Sequence, residues 1–98
     1  MFLGKVVGSV WSTKKTDNLN GLRFLLVHPI NLNKEPLTDV IVAADVLGAG
    51  IGEVVICAFG HAARKAINAD DPSSLSLEAA IVGIVDKMDV DDDFIEKK

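Results

Sequence analysis

Gly48, Gly50 and Gly52 fall within five residues in the stretch DVLGAGIGEVVICAFG. A GxG spacing raises phosphate chemistry, because a glycine-rich loop between a strand and a helix offers backbone N–H groups to a pyrophosphate. The fingerprint needs its third glycine at position 53, where this chain has Glu53, and a carboxylate there repels an anion. The following EVVICAF is too β-branched to open a helix, and no Gly-Lys-Ser/Thr follows. The stretch therefore reads as a tight hairpin connection whose glycines allow positive φ and close backbone approach. On this reading Gly50→Val disrupts packing or assembly.

The remaining reactive groups are few. Asp45, Glu53 and Arg64 are candidates for a charged network, and acid–base chemistry there would need a pocket around them. Cys57 is the single cysteine, so no internal disulfide forms, and its apolar neighbours describe a buried thiol. His28 and His61 lack metal-ligand partners at helical or short-loop spacing. Asp70 and Asp71 precede Pro72 in a turn and need further ligands to hold a cation. No catalytic residue, metal or cofactor is expected, and the chain reads as a non-enzyme.

These residues sit on short strands. Residues 2–11 form one strand, with Gly4 and Gly8 where it bends or another backbone approaches. Lys5, Val7 and Ser9 are expected on one face, Val6 and Val10 on the other, and Trp11 as a core or interface anchor. Residues 12–21 are polar loop, 22–30 a second strand, 39–47 a third and 52–60 a fourth. HAARKAI, residues 61–67, favours about two turns of helix. After a loop, residues 79–90 give a fifth strand bent at Gly83. The expected fold is mostly β: a small five-stranded OB-like barrel with one short helix.

Composition bounds the function. The 98 residues fit one domain, taken as a barrel over 1–90 with an acidic tail at 91–98. Hydrophobic residues are 49% of the chain and the mean hydropathy is +0.32, apolar enough for a small chain to imply surface buried between copies. The window 41–59 contains Asp45, Glu53 and three glycines, which two strands and a turn explain better than a membrane span. The N-terminus has no long apolar run of a secretory signal, and a cytosolic location is expected. Net charge is −4 with four Phe, one Trp and no Tyr, a poor match to the basic groove and stacking aromatics of a nucleic-acid-binding OB domain. That domain is nonetheless the alternative reading, and a small enzyme using Asp45, Glu53 or His61 is a third.

Taken together, MFLGKVVGSVWSTKK, VAADVLGAGIGEVVICAFGHAARKA and AAIVGIVDKMDV resemble the EutN/CcmL family of bacterial microcompartment vertex proteins in order and spacing. The resemblance covers nearly all of residues 1–90. It implies an OB-like barrel that assembles into a cyclic homopentamer, closing the five-fold corners of a shell otherwise tiled by hexameric proteins. It places the protein in the cytoplasm, within such a shell, with no nucleic acid or membrane partner. Gly48, Ala49, Gly50, Gly52 and Glu53 match the family's glycine turn, and Gly60, Ala63 and Arg64 the turn that follows. The loop residues and Arg64 are the implied subunit contacts. His61 stands where many members carry a small residue, and the helix follows the fourth strand, whereas the usual OB helix follows the third.

Overall fold

A computed structural model of the chain describes residues 1–11, 19 and 21–91. Five strands, β1 (Phe2–Val10), β2 (Arg23–Pro29), β3 (Ile41–Asp45), β4 (Val54–Phe59) and β5 (Ala79–Val85), close into a barrel in the order β1-β2-β3-β5-β4. All ladders are antiparallel except β3–β5, a parallel seam that meets at Ala44 and Ala80. Helix α1 (Gly60–Ile67) lies between β4 and β5, where the sequence put it. The polar loop expected at 12–21 and the tail at 91–98 fall largely outside the described residues.

Two apolar clusters hold the fold. Inside the barrel, Val6, Leu25, Val27, Ala43, Val55, Cys57 and Ile81 pack from all five strands. Outside it, Ala63 of α1 packs with Ala44, Ala58, Leu77 and Ala80, flanked by Phe24 and Ile67. The alternation along each strand explains the division: Ala43 faces in and Ala44 faces out.

Several boundaries moved for identifiable reasons. β1 carries a bulge: Val6 pairs with Val27, but Gly8 pairs with Leu26, so Val7 has no partner of its own. The bulge flips the phase that follows, and Val10 lies opposite Phe24 and exposed rather than on the inner face of Val6. β3 stops at Asp45, short of residue 47, because the Asp45 carboxylate accepts the Leu47 N–H and bends the chain. β5 stops at Val85, opposite the first residue of β4, where its partner ends. Trp11 is 92% exposed, so it is not a core anchor.

Candidate functional site

The loop from Val46 to Glu53 is built on one carboxylate. The Asp45 side chain is fully buried at the end of β3. Its Oδ1 accepts the Leu47 N–H at 2.9 Å, and its Oδ2 accepts the Ala49 N–H at 2.9 Å. Arg23, opposite Asp45 on β2, donates from Nη1 to the same Oδ2 at 3.2 Å. A turn held from its first residue in this way leaves few free backbone dihedrals. It folds Ala49 into the barrel cluster, where it is fully buried and plugs that end of the barrel.

The second half of the loop is a four-residue turn. The Glu53 N–H donates to the Gly50 carbonyl at 3.1 Å, and the Gly50 N–H donates to Glu53 Oε1 at 2.6 Å. Gly52 has φ +93°, as the third position of a type II turn requires. The loop is then stitched to β1: the Gly52 N–H donates to the Val6 carbonyl at 2.8 Å, and the Val6 N–H to the Glu53 carbonyl at 2.9 Å. Ile51 is left at the tip, 71% exposed.

This geometry answers the phosphate question. The loop leads into β4 rather than a helix, and Glu53 itself takes the Gly50 N–H that an anion would use. It also corrects the expectation at Gly50. The positive φ values fall on Gly48, at +85°, and Gly52, and not on Gly50.

Gly48, Ala49, Gly50, Gly52 and Glu53 come together in this loop; Arg64 does not join them. It projects from α1, at the far end of β4, and donates to Glu78 Oε1 at 2.9 Å and to the Leu77 carbonyl at 3.3 Å. The six residues of β4 separate the two places by roughly 17 Å. The expected network of Asp45, Glu53 and Arg64 is therefore three local arrangements. Arg23, the real partner of Asp45, had one signal in the sequence: a lone cation in the apolar run LRFLLV.

The other reactive groups stay apart. Burial inside the barrel pushes the Cys57 thiol up to about 12, so it carries no thiolate near neutral pH. His28 lies opposite Lys5 on β2, and His61 is exposed on α1. Asp71 accepts the Ser73 hydroxyl within its own turn. Among the described residues no three His, Cys, Asp or Glu side chains gather as a metal site, and no helix is long and apolar enough to cross a membrane.

Comparison with known proteins bears on what such a loop serves. The family described as "Ethanolamine utilisation protein EutN/carboxysome" matches residues 1–86. The carboxysome shell vertex protein CcmL of Synechocystis sp. is 47% identical over 91 residues, covering 92% of this chain and 87% of that protein. The solved structure of CcmL from Gloeobacter violaceus superposes with a TM-score of 0.82 at 36% identity, over 93% of this chain and 91% of that one. The structure of GrpN, a pentameric microcompartment shell protein from Rhodospirillum rubrum, gives 0.79 at 39% identity, over 92% of this chain and all of that one.

Proposed function

The chain belongs to the EutN/CcmL family, and from that membership we propose that it is a structural shell protein, a cyclic homopentamer that caps the five-fold vertices of a bacterial microcompartment. The observation that carries this reading is the superposition on the pentameric shell protein GrpN along that protein's whole length. The nucleic-acid-binding alternative finds no support among these relatives, and the chain's net charge of −4 disfavours it.

The surface suits a ring. A cyclic assembly joins one patch to a different patch on the next copy. Trp11, Leu37, Val42, Val46, Leu47 and Ile51 all stand exposed on the isolated chain, and burying them between copies recovers apolar stabilisation that a small barrel lacks. Within this reading the barrel over 1–90 forms the body and 91–98 a tail. Gly48, Gly50, Gly52 and Glu53 contribute the backbone and carboxylate edge of a subunit contact, which Ala49 supports from inside. Arg64 contributes a separate contact near α1. The partners are copies of the chain and hexameric shell proteins, in the cytoplasm. The chain performs no chemistry of its own.

Native mass spectrometry is expected to give a pentamer of about 52 kDa from the 10.4 kDa chain. Hexameric shell proteins co-expressed without this chain should form shells open at corners or elongated. Shells equally closed in its absence would sink the capping role.

A further inference from the structure

The tip of the glycine loop offers one hydrophobe and one charge. Ile51 and Glu53 are both exposed there. The Glu53 carboxylate is held in place, since its Oε1 accepts the Gly50 N–H at 2.6 Å. A carboxylate accepts several hydrogen bonds, so it can still take a donor from outside the loop. Two residues apart, the pair leaves the backbone within about 7 Å of each other.

A surface of matching chemistry lies on the outer wall of the barrel. Leu25 and Val27 of β2 face the core, which turns Leu26 and His28 outward. Leu26 stands opposite Val42 of β3, and His28 stands opposite Lys5 of β1. Val42 is about half exposed, and Lys5 is exposed. The wall therefore has an apolar half, Leu26 and Val42, and a donor half, Lys5 and His28. Two residues of β2 separate the halves, roughly 7 Å, which is the spacing of Ile51 and Glu53. Neither Lys5 nor His28 has an ion-pair partner among the described residues.

A chain cannot seat its own loop on this wall. The Gly52 N–H and the Glu53 carbonyl are bonded to Val6, which ties the tip to β1 on its β4 side. The apolar half of the wall lies between β2 and β3, about two of the five strand positions away, roughly 140° round the barrel.

We propose that the tip of the glycine loop docks on the outer wall of the next copy in the ring, with Ile51 against Leu26 and Val42 and the Glu53 carboxylate on Lys5 and His28. That contact rests on the pentameric reading and names the two faces that meet. Tip and wall are different patches, so each copy gives one and receives one, as a heterologous contact requires. Because they lie well short of opposite sides of the barrel, they curve a head-to-tail series of copies toward closure. A carboxylate already fixed by Gly50 also loses little freedom on docking.

Cysteines at the two faces test the contact. Ile51→Cys and Val42→Cys, both at exposed positions, are expressed separately, co-expressed, and combined in one chain, then oxidised; Cys57 is buried in the barrel. Native mass spectrometry reads the assembly of each before oxidation. The co-expressed pair should give linked dimers, and neither variant alone should. The double variant should give a ladder of up to five linked chains, lost on reduction. Lys5→Glu should raise the concentration at which half of the pentamer dissociates about tenfold, while Lys5→Arg leaves it near wild type. Intact pentamers with no linkage in the co-expressed pair, or a Lys5→Glu ring as stable as wild type, overturn the docking and leave the ring standing. So does linkage of Ile51→Cys to itself, linkage confined to single chains, or linkage of Val42→Cys only to added hexameric shell proteins. An unsubstituted chain that runs as a monomer removes the ring itself, and the docking with it.

Discussion

At Gly4, in the wall of the barrel, the backbone has an ordinary negative-φ conformation, but a Cβ would collide with Val27 Cγ1. At Gly52, in the loop, φ is +93° and nothing lies within 4 Å of where a Cβ would stand. One glycine makes room and the other makes a turn. The difference extends to how the two regions are held. The wall is fixed by side chains that interlock across the barrel, so it resists change in volume. The loop, apart from Ala49, is fixed by backbone dihedrals and by hydrogen bonds to Asp45, Glu53 and β1. On the reading proposed above, the barrel is a body that keeps its shape in the ring, and the loop offers a subunit contact already held in one conformation.

Asp45 joins the two regions, and breaking it should have the largest effect. Asp45→Ala strips acceptors from the Leu47 and Ala49 N–H groups, one of which is fully buried. Leaving such donors unpaired costs about 2–4 kcal/mol for the pair. The Arg23 contact adds little, since that side chain is about half exposed. Urea unfolding should show a lower midpoint with an unchanged slope. A midpoint equal to wild type would mean the loop is held without its carboxylate.

Next is the wall. Gly4→Ala forces a methyl into Val27 and also crowds the His28 carbonyl and the Phe2 ring. Overpacking of this kind costs about 1–3 kcal/mol. The double variant Gly4→Ala with Val27→Ala should recover part of that loss, a coupling that neighbours in contact show and distant sites do not. Strict additivity of the two would show that Gly4 is glycine for some reason other than space.

The sequence carried much of this, unevenly. Five β-branched runs broken by glycines and one alanine-rich stretch sufficed for a five-stranded barrel with a helix after the fourth strand. Those signals are local, being matters of propensity and periodicity. What escaped depends on pairing. The bulge at Val7 arises between β1 and β2 and turns Val10 outward, and no single-strand pattern announces it. Arg23 finds Asp45 only because β2 and β3 place them opposite each other, 22 residues apart in sequence. Arg64 and the loop look close in sequence, yet β4 lies between them and carries them to opposite ends of the barrel. The glycine spacing identified a turn but not which glycine carries the conformation.

That last ambiguity gives the smallest predicted effect and the sharpest contrast. Gly52→Ala must hold a side chain at φ +93°, in a region L-residues rarely adopt, although space there is open. The cost is about 1–2 kcal/mol, all of it conformational. Gly50→Ala, two residues away, meets only Glu53 Oε1, at 3.2 Å, and keeps an ordinary φ. That carboxylate need give only a few tenths of an ångström, which lengthens its short, exposed hydrogen bond from the Gly50 N–H without breaking it, so the change in stability should stay within about 0.5 kcal/mol. Each variant adds one methyl group to the same turn, and only the methyl at Gly50 meets a neighbour, so a larger loss at Gly52 reports φ rather than volume. Equal losses at both positions would mean that the loop is close-packed like the wall, and the contrast between the two regions would fall with it. An unchanged Gly50→Ala midpoint together with weakened pentamers by native mass spectrometry would place the close approach at Gly50 between copies, where the isolated chain leaves it free.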